Sequence, residues 1–193
     1  MSGDLVAQRR AKLAALRDEG VEPFPHAFGG VQPSAEVKAP HEGLEAGEET
    51  DVRVRVAGRI AARRGQGKAA FIDLVDRTGR IQLHARVDVL GRESLDRLVG
   101  LDLGDLIGAD GTVMRTRAGE LTLAVSSFEL LAKSLRPPPE KHHGLTDVET
   151  RYRQRELDLM ANEESRELFV TRARIVTAIR RFLDAEGFIE VAG

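Results

Sequence analysis

From Asp51 the chain alternates strictly: Val52, Val54 and Val56 point one way while Arg53 and Arg55 point the other. A period of two is the signature of a half-buried strand, and a helix cannot use it, because a helix needs its apolar residues three and four apart. The run Ala70 to Asp76 alternates again, with Ile72 and Leu74 on one side and Phe71 and Asp73 on the other. Arg77, Thr78 and Gly79 then supply a turn whose glycine can take positive φ. After it Ile81, Leu83 and Ala85 alternate with Arg80, Gln82 and His84, so the two runs predict a hairpin.

Leu90 to Val99 reads as a short helix, and two further strands are expected at about Leu103 to Arg115 and Leu121 to Leu131, joined by a turn at Ala118 and Gly119. Three strands, a helix and two strands is the order of an oligonucleotide-binding (OB) barrel. The fold class expected is therefore mainly β with flanking helices, built on a five-stranded OB barrel.

Before the barrel, Leu5 to Glu19 sets Leu5, Leu13 and Leu16 among Arg9, Arg10, Lys12 and Arg17, a basic amphipathic helix stopped by Gly20. It is either a solvated surface helix or an electrostatic aid in holding RNA. Pro23, Pro25, Gly29, Gly30, Pro33 and Pro40 then predict a linker without regular structure to about Thr50. Pro137, Pro138 and Pro139 end the barrel and open a stiff connection through His142, His143 and Gly144. Asn162 is the expected N-cap of a helix that places Leu168, Ile175, Ile179 and Phe182 at helical spacing until Gly187, followed by a strand stub from Phe188 to Val191. The divisions expected are 1–49 for the helix and linker, 50–133 for the barrel, 134–150 for the hinge and 151–193 for the start of a second domain.

With 29 Lys and Arg against 31 Asp and Glu, the net charge of −2 announces no global nucleic-acid field, so any RNA surface must be local. The chain has no cysteine, which excludes a disulfide framework and thiolate chemistry and fits a reducing compartment such as the cytoplasm. No apolar run approaches the roughly 18 residues of a membrane span, so neither anchor nor signal peptide is expected.

One constellation could carry function. The turn near Arg77 sets Asp73 roughly opposite Gln82 and Phe71 diagonal to it, on the face away from the core. A ring so placed can stack a nucleobase for about 1–3 kcal/mol, and an amide can meet the edge of an unpaired base. Arg53, Arg55, Arg59, Arg63, Arg64, Lys68 and Arg80 offer phosphate partners around them. The alternative is a Phe71 that caps the barrel as ordinary core among solvated arginines, and a one-residue bulge would flip the ring inward. Elsewhere His142 and His143 lack a third ligand and the spacing of a metal site, and the glycines from Arg63 to Lys68 lack the spacing of a phosphate loop. Glu156 with Asp158, and Glu163 with Glu164, suit helix starts better than acid–base pairs.

Val56-Ala57-Gly58-Arg59, Gly67-Lys68-Ala69-Ala70-Phe71 and Gly79-Arg80-Ile81-Gln82-Leu83 resemble the anticodon-binding barrel of the class IIb aminoacyl-tRNA synthetases. The stretch from Arg136 to Leu145, with Arg151 to Leu159, resembles specifically the hinge and catalytic-domain entry of the lysyl enzymes. The resemblance implies that Phe71 stacks on an anticodon base, Gln82 reads the central uridine and Arg64 supports them, while Arg117 and Glu120 lie in a loop that approaches neighbouring nucleotides. It also implies that Leu168, Ile175, Ile179 and Phe182 belong to the first class motif and its dimer interface. The partners implied are the anticodon stem-loop of lysine tRNA and a second subunit in the complete enzyme, with no DNA and no membrane. The complete enzyme would use ATP and Mg2+. The later motifs that grip them have no counterpart here, so this chain alone is expected to hold no cofactor and to be inactive. The competing expectation is a non-catalytic fragment that docks on a full-length synthetase through its last helix. Glu156 and His84 stand where the resemblance calls for aromatic residues.

Overall fold

A computed structural model describes residues 2–65, 67–139 and 145–191. The chain divides into two compact units, Met1–Pro137 and Pro138–Gly193.

The first unit is a closed barrel of β1 (Glu49–Arg64), β2 (Ala69–Val75), β3 (Arg80–Arg86), β4 (Leu106–Arg115) and β5 (Leu121–Ala132), in the order β1-β2-β3-β5-β4. This is the OB arrangement that the alternation predicts. The long β1 makes closure possible, pairing with β4 around Val54–Arg59 and with β2 from Arg59 to Arg64. A bulge between Ile60 and Ala62 lets the one strand turn from one neighbour to the other. A short parallel pairing of Gln82–His84 with Thr122–Ala124 seals the other side. Gly111, opposite a bulge in β5, lets the backbones close: a Cβ there would lie 2.1 Å from the Ala124 carbonyl oxygen.

The inward residues of the alternation form the core, with Val56, Ile72, Leu74, Leu83, Ile107 and Leu123 almost wholly buried. The single helix expected between β3 and β4 is two, α3 (Val87–Leu90) and α4 (Arg92–Gly100), broken at Gly91, where φ is +77°. Leu95 and Leu98 of α4 enter the same core.

Two expectations for the region before the barrel are corrected. The stretch read as a linker contains α2 (Ser34–Lys38) and a 3-10 turn (Ala39–His41), with Val37 buried. Five residues cannot sustain a helix alone. Asp76, in the β2–β3 turn, holds the start of α2 by accepting from the Ser34 N–H (2.6 Å) and hydroxyl (2.9 Å). Burial pushes the Asp76 carboxyl up, but these donors and those of Thr78 hold it below its usual range. The helix α1 (Ser2–Asp18) forms where expected, yet part of its charge is spent on the barrel unit. Arg9 is buried and donates to the carbonyls of Leu103, Ser134 and Arg136. Lys12 pairs with Asp102 at 2.6 Å. Asp102 also takes the Lys133 ammonium at 2.6 Å, and Lys133 spans both oxygens of the fully buried Asp105 at 2.9 and 3.0 Å.

In the second unit α5 (Val148–Arg153), α6 (Arg155–Ala161) and α7 (Glu163–Ala185) converge on Asp158. That carboxylate is buried and accepts from Asn162 (2.7 Å), Arg151 (2.8 Å), Arg155 (2.8 Å) and Ser165 (3.1 Å). The Asn162 hydrogen bond, against the opposing pull of burial and with help from Arg151, Ser165 and Arg155, lowers its pKa to about 2. Asn162 precedes α7 as expected, but its side chain makes no capping bond and is turned to Asp158 and to the Leu145 carbonyl. The stub Phe188–Val191 is not a strand, since a strand needs a neighbour to complete its hydrogen bonds. His142 and His143 lie outside the described residues.

Candidate nucleic-acid interface

The hairpin register decides which side chains share a face. Phe71 pairs with His84, Ile72 with Leu83 and Asp73 with Gln82, while Arg64 of β1 pairs with Phe71. Because Ile72, Leu83 and Ile81 point into the core, Phe71, Asp73, Gln82 and His84 occupy the outer face of β2 and β3. The β1 bulge precedes this region, and Arg64 falls beside the ring on that outer face.

The face is layered. Its surface carries Phe71 and His84, whose rings stack 4.5 Å apart and within 5° of parallel. Burial, then the charge of Arg86, pushes the imidazole below its ordinary value, so a neutral ring lies against Phe71 at neutral pH. In the next row of the same face lie Asp73 and Gln82, both buried. The Gln82 amide lies 3.1 Å from the Thr122 hydroxyl, whose one proton the Glu120 carbonyl, also at 3.1 Å, shares.

The cations hold an ordered rim. Arg80 bridges Asp73 (3.2 Å) and Glu120 (3.3 Å), tying the β2–β3 face to the end of the β4–β5 turn. Arg64 stands 3.5 Å from the other oxygen of Asp73, within ion-pair range but not aligned as a hydrogen bond, and its side chain is 62% exposed. Arg117 is exposed in the β4–β5 turn and Lys68 in the β1–β2 turn.

Arg64, Phe71, Gln82, Arg80 and Glu120 therefore come together, with Lys68 and Arg117 on neighbouring turns. Arg59 shares the Val75 row with Arg80, but its guanidinium is turned to the Gly104 carbonyl at 2.7 Å. Arg63 turns to the carbonyls of Val99 and Leu101. Arg55 is held by Asp110 (2.7 Å) and lies over the Phe28 ring. Sequence reasoning assigned no role to Asp73, His84 or Thr122. For Asp73 the available signal was its place opposite Gln82 in the same alternation.

On the second unit Leu168, Ile175, Ile179 and Phe182 all lie exposed along α7, the last at 65%. They form an apolar stripe on a helix whose other positions mix charged residues with Phe169, Val170, Val176 and Leu183. Among the described residues no helix is long and apolar enough to cross a membrane.

Comparison with known proteins places names on both units. Residues 54–131 match the family described as OB-fold nucleic acid binding domain, and residues 147–193 match tRNA synthetases class II (D, K and N). Over 97% of its length the chain is 50% identical to a lysine–tRNA ligase of Carboxydothermus hydrogenoformans, 46% to that of Bacillus subtilis and 48% to that of Pelotomaculum thermopropionicum. It spans 38%, 38% and 36% of the length of these relatives. An OB barrel, the opening of a class II synthetase domain and this identity along nearly every residue establish that the chain belongs to the class II lysine–tRNA ligase family.

Proposed function

We propose that the chain binds the anticodon loop of lysine tRNA on the outer face of β2 and β3, as the tRNA-reading part of a lysine–tRNA ligase. One observation carries this reading: an aromatic platform, a glutamine amide beside Thr122 and an arginine rim share one face of an OB barrel. The base stacks on the Phe71–His84 pair, and the Gln82 NH2 donates to a base carbonyl. Arg64, Arg80, Lys68 and Arg117 meet the phosphates, with Glu120 orienting Arg80. Arg59, bound to the Gly104 carbonyl, contributes positive charge from β1, in the same row of the sheet as Arg80.

Residues 50–133 form the reading domain, 1–49 its support, 134–150 the hinge and 151–193 the opening of a catalytic domain. In this proposal the stripe of Leu168, Ile175, Ile179 and Phe182 meets a second subunit. The complete enzyme joins lysine to its tRNA in the cytoplasm with ATP and Mg2+. The test is photo-crosslinking of a lysine-tRNA anticodon stem-loop carrying 4-thiouridine at the central position. Adducts within β2 or β3 are expected, and adducts confined to α1 or to residues 145–191 would refute the assignment.

The exposed stripe on α7 favours a second reading, in which the chain docks on a complete synthetase subunit without reading RNA. Co-purification with that subunit, abolished by Ile179→Glu and indifferent to Phe71→Ala, would support it.

A further inference from the structure

We infer that Arg115 is a positioning residue for RNA binding: its guanidinium ties the segment before the barrel to the β4–β5 turn, and so holds Arg117 of that turn where it meets a phosphate. The inference rests on the anticodon-binding reading and deepens it.

Arg115 is the last residue of β4. Its Nη1 donates to the Gly119 carbonyl inside the turn at 2.7 Å, and its Nη2 to the Glu42 carbonyl, 73 residues earlier in the chain, at 2.7 Å. The backbone joins the same two parts: the Arg115 N–H donates to the Glu48 carbonyl at 2.8 Å, and the Gly47 N–H to the Arg115 carbonyl at 3.0 Å. Nε is buried without an acceptor. With both Nη groups engaged and Nε enclosed, this guanidinium is placed to fasten backbone rather than to meet RNA itself. Its planar fork reaches two carbonyls at fixed separation, which the single ammonium of a lysine does not reproduce.

The fastened segment is also tied to the neighbouring turn. Asp76 and Thr78, between β2 and β3, accept from the N–H groups of Ser34 (2.6 Å) and Ala35 (3.1 Å). Residues 34–48 therefore run as a strut from the β2–β3 turn to the β4–β5 turn. The β4–β5 turn is closed within itself, the Glu120 N–H donating to the Thr116 hydroxyl at 3.1 Å and the Glu120 carbonyl accepting the Thr116 N–H at 2.9 Å. Arg117 is exposed in it, and its stem lies along the strut: a Cβ on Gly47 would stand 3.6 Å from Arg117 Cγ. Removing the Arg115 fork leaves the turn its internal bonds and detaches it from the strut, so Arg117 must be ordered anew when RNA arrives.

The test uses the full chain and anisotropy titrations with the anticodon stem-loop of lysine tRNA over a series of salt concentrations, at a temperature where circular dichroism shows each variant folded. Loss of one phosphate contact flattens the plot of log affinity against log salt by about 0.7 for single-stranded RNA. Arg117→Ala is expected to show that change. Arg115→Lys, which keeps the formal charge, is expected to show the same change, and the double variant no more than either. A slope unaltered in Arg115→Lys or in Arg117→Ala, or changes that add in the double variant, would overturn the inference. If Arg115→Lys does not fold, Thr116→Val decides in its place, because it loosens the same turn by deleting the hydroxyl that receives the Glu120 N–H. A flattened slope supports the inference and an unaltered one overturns it. In each of these failures the anticodon reading stands as long as the unaltered chain prefers the native loop to one with a changed central uridine; without that preference both fail.

Discussion

Replacing Lys133 with methionine keeps most of the side-chain volume and removes one charge from the most enclosed ion cluster of the barrel unit. The Lys133 side chain is 1% exposed and reaches Asp102 at 2.6 Å and Asp105 at 2.9 and 3.0 Å. Asp105 is fully buried; without the ammonium it keeps only the N–H groups of Asp102 and Ser134, each at 2.8 Å. Two hydrogen bonds do not replace a counter-charge, and breaking a buried pair by removing one partner costs about 3–5 kcal/mol. For a unit of this size each kcal/mol lowers the melting midpoint by roughly 3 °C, so Lys133→Met should melt about 9–15 °C lower by calorimetry. Lys12→Met is the control, because Lys12 touches the same Asp102 with a side chain 48% exposed and should cost no more than about 1 kcal/mol. A Lys133→Met loss within about 1 kcal/mol, or equal losses for the two, would refute the reasoning that burial sets the value of these pairs.

Three other perturbations separate fold from site. Phe71→Ala should weaken anticodon-loop binding about 5- to 150-fold in anisotropy titrations through lost stacking, at a stability cost of no more than about 1.5 kcal/mol from the lost His84 pair. A large loss of stability with unchanged affinity would instead make the ring part of the core. Asp158, with a pKa lowered to about 2 from 3.8, stabilises the second unit fully above pH 3.8 and loses that contribution as pH falls toward 2. Helical circular dichroism of Asp158→Asn should lack the acid dependence of the unaltered chain in that window, and retention of it would assign the transition to other carboxylates. Gly111→Ala forces a methyl group to within 2.1 Å of the Ala124 carbonyl oxygen and should cost about 3 kcal/mol or more in urea denaturation. A near-neutral result would mean that β4 and β5 separate easily there.

What was legible followed from periodicity. The alternations at Val54–Val56, Ile72–Leu74 and Ile81–Ala85 fixed strand faces and, through the Arg77–Gly79 turn, the hairpin register that opposes Asp73 and Gln82, whereas Val52, expected to point with Val54, is exposed where the β1–β4 pairing shifts register. Local patterns cannot show elements that exist only through distant contacts. The helix α2 depends on Asp76, which lies 42 residues away from Ser34, and its flanking prolines read as a linker. Arg9 and Lys12 carry the composition of an RNA-binding helix, yet their partners come from residues 100–136, which no helical wheel displays. Asp73 was missed for the same reason: burial on the outer face comes from Arg64, Arg80 and neighbouring strands folding over it, so alternation alone reads it as solvated.

The most direct measurement of the central claim is an anisotropy titration of this chain with the anticodon stem-loop of lysine tRNA, beside a loop with a changed central uridine, at two salt concentrations. Preference for the native loop at both concentrations, with affinity falling as salt rises, is the predicted result. Equal binding of both loops, or binding that disappears altogether as salt rises, would contradict an anticodon-reading face on β2 and β3.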